Sequence, residues 1–281
     1  MSGPPYRVAC AVAGHIKIPD RDSFWRIRLI NGKEVTTKIY RGKPYTWQSA
    51  LAYKWHVPSI NALERIINEY YNCSVPYVDI GANVGLRSLL YLSSGRPVFM
   101  IEPNVELNIL NEERCNMNKF MNYQIFNICL SNINGEAPFY YDASSYESGL
   151  RKELIRPDKM IKSETVKLST LDVFTNKYLP KCSNAIIKID VEGHEFEVIK
   201  GGYDFISNVN PTMLVEINEK GQHIAEIISF MKKLRYSVYE VRERQKVRYY
   251  KLHDGMTENY VFREDDYLFT KEERLEKLLL G

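Results

Sequence analysis

One junction near residue 80 constrains this chain more than any other feature. Tyr77 to Ile80 is a short run interrupted only by Asp79, and Gly81-Ala82-Asn83-Val84-Gly85 carries it directly into a segment of helical period over residues 84–92. A strand that turns through glycines into a helix is how a βαβ unit opens. The pattern then recurs. Residues 97–101, 123–130, 185–190 and 213–217 read as strands, and residues 104–120 (capped by Asn104), 170–178 and 224–234 as helices. Residues 236–241 and 260–263 read as late strands, followed by a terminal helix over 272–280. Apolar strands joined by helices call for crossovers and a mainly parallel, doubly wound α/β sheet with helices on both faces.

Upstream the pattern differs. Residues 24–30 and 34–40 are extended runs around Asn31-Gly32, a dipeptide that suits a tight hairpin. Pro58-Ser59 opens a helix carrying Ile60, Leu63, Ile66 and Ile67, with Ser59 as its expected N-cap. The expected division is an N-terminal β-rich cap over residues 1–57 and a sheet domain over 58–281. A second hairpin is expected around Asn134-Gly135.

Composition removes some classes. The hydrophobic fraction of 44% and charged fraction of 26% suit a folded globular chain. A net charge of +3 argues against nucleic acid as a general partner. The 5 cysteines include no CxxC pair, which suggests neither a zinc cluster nor a disulfide framework. The apolar stretch over residues 8–14 is too short to span a membrane, so the expectation is a soluble, cytoplasmic protein.

Ligands of open α/β sheets bind beyond the carboxyl ends of the strands. Gly81 and Gly85 allow the sharp turn there, and Asp79 offers a carboxylate to a cationic amino group. A dinucleotide fingerprint needs a glycine where Asn83 stands. The pattern D-x-G-x-x-x-G suits a cofactor that carries an amino acid instead of a diphosphate, although a purely structural turn has the same glycines. Glu102 ends the next strand, where a carboxylate can accept both ribose hydroxyls. Together the two acids favour S-adenosylmethionine.

The run from Ile187 to Gly202 contains Asp190-Val191-Glu192-Gly193-His194-Glu195 and the trailing Gly201-Gly202. With the 78–85 turn, Ile101-Glu102-Pro103, Cys129-Leu130-Ser131 and Thr170-Leu171-Asp172, it resembles the FkbM-type methyltransferases over roughly residues 75–217. The resemblance implies a Rossmann-like methyltransferase fold, with a mainly parallel seven-stranded sheet whose last strand is antiparallel. It implies methyl transfer to oxygen, on sugar or natural-product hydroxyls and sometimes on a carboxyl. By position, Asp79, Gly81, Ala82, Asn83 and Gly85 would surround the methionine part and Glu102 the ribose. Asn104 and Ser131 would lie near the adenosine, and Asp190 and Glu192 would border the transferred methyl.

A hydroxyl acceptor needs a base, for which Glu192, His194 and Glu216 are the candidates. His194 is equally readable as a polar residue at a helix start, and Glu192 as a favourable charge there. Asp190, Glu192 and Glu216 could ligate Mg²⁺, but no clear ligand set emerges and no metal is expected. Tyr146 and Ser148, close to Phe139-Tyr140-Tyr141, are substrate-side candidates, with ordinary hairpin packing as the alternative. Arg242, Arg244, Lys246 and Arg248 would share one face of a strand. Leu275, Leu278 and Leu279 are expected to dock on the domain. The expected partner is a small-molecule or glycan acceptor, with oligomeric state left open. A carboxyl methyltransferase, an RNA methyltransferase and a non-catalytic cofactor-binding subunit stand behind the hydroxyl reading.

Overall fold

The computed structural model describes residues 21–41, 43, 46, 58–142, 148–155, 161–217, 224–242, 248–252 and 266–280. Residues 8–14, Tyr146, Arg244, Lys246 and the strand expected at 260–263 lie outside the described residues.

The apolar runs pair as one mixed sheet whose central strands are buried on both faces. Strand β3 (Tyr77–Ile80) is parallel to β4 (Val98–Ile101) on one side and to β10 (Ile186–Ile189) on the other. Beyond β4 lies parallel β5 (Tyr123–Phe126), and beyond β10 lies parallel β11 (Thr212–Glu216). β14 (Asp266–Thr270) is antiparallel to both β11 and β12 (Ser237–Arg242). These seven strands reproduce the expected sheet, antiparallel last strand included, and that strand is formed at 266–270. β13 (Arg248–Lys251) extends the edge to an eighth strand. Strand order reverses between β3 and β10, which opens a cleft at their carboxyl ends.

Side-chain alternation assigns the two faces. Tyr77, Ile186, Leu214 and Leu268 pack with α1 (Pro58–Tyr70), α2 (Ser88–Ser93) and α8 (Glu273–Leu280). Val78, Ile187, Val215 and Phe269 pack under α4 (Leu171–Tyr178), α5 (Glu195–Lys200), α6 (Tyr203–Val209) and α7 (Ile224–Lys233). Period two also sends Asp79, Lys188, Asp190, Glu216 and Asp266 toward the α1 face, all at the cleft end. Leu275 and Leu279 dock in the α1-side core, while Leu278 is exposed. Among the described residues no helix is long and apolar enough to cross a membrane.

The hairpin of β1 (Ser23–Arg28) and β2 (Glu34–Ile39) shares the α1-side core. It packs on α3 (Val105–Met117), where the Arg114 Nε–H donates to Thr37 Oγ1 at 3.0 Å. Of its turn pair only Gly32 takes a positive φ (+82°), closing a three-residue loop.

Several expectations are corrected. Helix α1 begins at Pro58, so Ser59 lies in its first turn and not at its cap. The 84–92 helix is shortened to Ser88–Ser93, because residues 81–87 are used in successive turns. The expected strand 123–130 breaks at Asn127, whose amide donates to the carbonyls of Pro103 and Glu102. The chain then leaves the main sheet as β6 (Cys129–Ser131) and pairs with β9 (Ile161–Thr170). No hairpin forms at Asn134-Gly135: Gly135 opens β7 (Gly135–Asp142), whose antiparallel partner is β9. β8 (Ser148–Gly149) completes this second, four-stranded sheet. Arg242 and Arg248 do not lie on one strand: they pair directly across β12 and β13, which puts both on the same face of the sheet.

Candidate functional site

The glycine turn is held from three sides. The Ile101 carbonyl accepts the N–H groups of Gly81 (3.0 Å) and Ala82 (3.1 Å). Gly81 has φ +79°, and a Cβ there would overlap the Asp190 carbonyl, so β3 and β10 approach too closely for any side chain. Asn83 sits at φ +50° and donates its N–H to Glu102 Oε2 at 2.9 Å. The N–H of Val84 goes to Asn83 Oδ1 at 2.8 Å, and that of Gly85 to the Ala82 carbonyl at 2.7 Å. All N–H groups from Gly81 to Gly85 therefore donate within the protein. A loop built this way offers no cradle of amides to a diphosphate.

Asp79 is buried and turned inward. Ser88 Oγ donates to its Oδ2 at 2.6 Å, and burial raises its pKa against the opposing pull of Lys188. Glu102, only 3% exposed, is the tie between the loop and the next helix: Oε2 takes the Asn83 N–H and Oε1 the Asn104 N–H, each at 2.9 Å. Burial pushes its carboxyl up to about 7. Asn104 caps α3, its Oδ1 accepting from Glu106 at 2.9 Å and Leu107 at 3.4 Å.

On the other side of the switch point the chain leaves β10 through Asp190. Lys188 Nζ lies 2.6 Å from Asp190 Oδ2. Glu192 (φ +53°) and Gly193 (φ +92°) follow as two left-handed residues, which aim the chain into α5. Buried Glu195 holds that turn, its Oε1 accepting the N–H groups of Gly193 (2.9 Å) and Val191 (3.3 Å). Glu216 ends β11 beside Asp190, in register with Asp266 across β14. Burial works against the Asp190 charge, but the Lys188 ammonium, the hydrogen bonds from Lys188 and Glu216, and Arg87 together outweigh it and leave its pKa below the ordinary value. Glu216 goes the other way, raised well above the carboxylate range by the Asp190 charge, by burial and by Asp266.

His194 stands apart from this group. Its Nε2 is 2.9 Å from Ser131 Oγ, its Nδ1 is 3.7 Å from Glu197 Oε2, and burial lowers its pKa. Ser131 and His194, assigned separate roles from the sequence, are thus partners of each other. β8 lies over the turn, with Gly149 close to Glu192, which brings Ser148 to the same edge.

Residues that the sequence reading passed over complete the wall. Arg87, just past the glycine turn, donates to Asn61 Oδ1 (2.7 Å) and Glu64 Oε2 (3.1 Å) on α1. Glu64 is buried, which lifts its pKa to about 7. Lys188 and Glu195 lie inside the distinctive 187–202 run, but nothing in their spacing marks them as the groups that hold Asp190 and its turn. Other motif residues serve the scaffold. Thr170 caps α4 through the Val173 N–H at 3.2 Å, and Asp172 takes the N–H groups of Asp204 (3.2 Å) and Phe205 (2.8 Å) at the start of α6. A Cβ on Gly201 would overlap the Ser131 carbonyl, so that glycine lets α5 close on β6.

A family model described as the methyltransferase FkbM domain matches residues 79–238. No curated protein matches the chain. Among solved structures, it is similar to a methyltransferase FkbM from Methylobacillus flagellatus, with 15% identity, TM-score 0.44, and coverage of 71% of this chain and 44% of that one. It is also similar to magnesium protoporphyrin IX methyltransferase from Synechocystis with bound SAM (11% identity, TM-score 0.43, coverage 80% and 83%). A 16S rRNA methyltransferase from T. thermophilus, in complex with AdoMet and guanosine, gives 11% identity, TM-score 0.44, and coverage of 92% and 52%. The chain spans less than half the length of the first of these proteins. The family match takes in the glycine turn, both strand-end acids and the D-V-E-G turn, and the chain belongs to the FkbM family of S-adenosylmethionine-dependent methyltransferases.

Proposed function

We propose that this methyltransferase acts on a hydroxyl oxygen, in a saccharide or another small-molecule acceptor. The observation that carries this reading is the acidity of the cleft beyond β10 and β11. Asp190, Glu216 and Asp266 interact there with Lys188 or Arg87, the Glu192 charge acts on Glu216, and both cations already face carboxylates. An acceptor carboxylate would be repelled from such a rim, and it needs no base at neutral pH. A hydroxyl needs a group that takes its proton, and carboxylates are what the rim supplies.

The residues suit the cofactor. Asp79 and Glu102 are buried acids at the ends of adjacent parallel strands, matching an ammonium at one end and a diol at the other. The self-satisfied amides of the 81–85 turn make no demand for a diphosphate. On this reading Asp79, Gly81, Ala82, Asn83 and Gly85 border the methionine part, Glu102 the ribose, and Asn104 and Ser131 the adenosine side. When bound, the cofactor supplies a methyl group already activated on a sulfonium.

Glu192 orients the acceptor hydroxyl and takes its proton. Its left-handed backbone puts it on the rim of the turn, between Asp190 and the β8 edge. The Asp190 charge and burial favour the protonated form of Glu216, which stays in contact with Asp190. His194 braces α5 through Ser131 and Glu197, and its lowered pKa keeps the ring neutral. Ser148, on β8, shields the acceptor side from water.

The test uses methyl-labelled S-adenosylmethionine against glycans, small hydroxy compounds and acids, followed by mild alkali. An alkali-stable product is expected, because an ether survives where a methyl ester is cleaved. Label released as methanol would replace the hydroxyl by a carboxyl acceptor.

A further inference from the structure

Lys188 is not one of the groups expected to touch cofactor or acceptor, yet it occupies the centre of the charged edge. It is 6% exposed and lies opposite Asp79 on the neighbouring strand. Its ammonium is 2.6 Å from Asp190 Oδ2, and a hydrogen bond joins Asp190 in turn to Glu216 on β11. A lysine in the middle of a parallel strand is costly to bury unless its charge is compensated. Here Asp79, Asp190 and Glu216 all lie on its face of the sheet.

We infer that Lys188 is a positioning residue for methyl transfer: it holds Asp190 as the accepting member of the Asp190–Glu216 hydrogen bond and so decides which of the two carboxyls carries the shared proton. The inference rests on the reading that places Asp190 and Glu216 at the methyl-transfer site. The geometry behind it is a linear order on one face, Asp79, Lys188, Asp190, Glu216 and Asp266, running from the cofactor turn to the far wall. Two carboxyls in hydrogen-bond contact cannot both be ionised without a cation beside them, and the cation stands beside only one. The proton accordingly goes to Glu216, which also faces Asp266 and Glu192. The other charged groups near Lys188 are Arg87 and, on α1, Glu64, and these are paired with each other. With the proton on Glu216, Asp190 is an anion of fixed position at the mouth of the cofactor turn. Without Lys188 the proton would move toward Asp190 and the charge away from the turn.

The experiment follows the Asp190 carboxyl by NMR in protein carrying ¹³C at aspartate side-chain carboxyls, with the signal assigned through Asp190→Asn. In the wild type it should stay ionised from about pH 5 to about pH 9. In Lys188→Met it should titrate, with its midpoint raised by about two units or more, and Lys188→Arg should restore the flat response. An Asp190 signal that titrates near neutrality in the wild type overturns the inference without any variant needing to fold. So does a flat signal in folded Lys188→Met. A second arm measures turnover with the hydroxyl acceptor from the labelling panel: Lys188→Met should lower kcat about tenfold or more and change the cofactor KM less than about threefold. A panel that yields only methyl esters would remove the hydroxyl reading and leave the NMR result standing, so the two failures are distinguishable.

Discussion

The two sides of the switch point hold their acids by different means. On the β4 side, Glu102 is satisfied by backbone N–H groups from Asn83 and Asn104. On the β10 side, Asp190 is satisfied by a side chain, Lys188, and shares its other contact with the Glu216 carboxyl. A carboxylate tied to main chain has its partners wherever the loop folds, so its position follows from the loop itself. A carboxylate tied to side chains depends here on β10 and β11 meeting in register, and its charge can be changed by changing a neighbour. The β4 side is thereby rigid and local, and the β10 side is adjustable.

The largest expected effect comes from the point where the two sides touch. Gly81→Val drives a branched Cβ into the Asp190 carbonyl at a positive φ, and should cost about 3 kcal/mol or more in urea denaturation. A variant of wild-type stability would mean that β3 and β10 are not so closely apposed. Next is Arg87→Met, which leaves Glu64 buried without its cation. It should cost about 3 kcal/mol at pH values where Glu64 is ionised, whereas Glu64→Gln should cost much less.

A pH scan separates backbone-held from side-chain-held acids. Glu102 and Glu64 both have folded pKa values near 7, above the ordinary carboxylate range. A raised folded pKa gives stability that is complete below the unfolded value, about 4.3, and that disappears as pH rises through 7. The melting temperature of the cofactor-free protein should therefore fall between about pH 5 and about pH 8, and Glu102→Gln should remove part of that slope. The same variant should weaken cofactor binding by roughly 10- to 100-fold, measured by calorimetry, since it loses a charged acceptor. An unchanged affinity would detach Glu102 from the ribose. The smallest effect is expected at the scaffold: Asp172→Ala loses the α6 cap, lowering stability by about 1 kcal/mol with cofactor affinity unchanged.

Legibility in the sequence divides along the same line. β3 has the bounds read from its apolar run, and the Asn104 cap stands where a short polar side chain precedes a helix, whereas Thr170, read as the first helical residue, caps α4 instead. Those features depend on a few consecutive residues. The break at Asn127 was not legible, because the carbonyls that bind its amide belong to Glu102 and Pro103, more than twenty residues earlier. Nor were Lys188 and Glu195 visible as organisers of the Asp190 turn, although both lie inside the most distinctive run of the chain. Ser131 and His194 carried no mark of being partners, since β6 and α5 meet only after β6 has left the main sheet.

By itself the sequence determined the alternation of buried strands and helices, the glycine turn with its two acids, and through them the family and the cofactor. Short-range rules suffice there: side-chain period, capping chemistry and the steric freedom of glycine act within one turn or one strand. Only the tertiary structure decided that Arg87 pairs with α1, that Lys188 stands between Asp79 and Asp190, and that Glu216 meets Asp190. Electrostatic partnership depends on distance in space and on exclusion of water, and both are set by strand order and register once the sheet has closed.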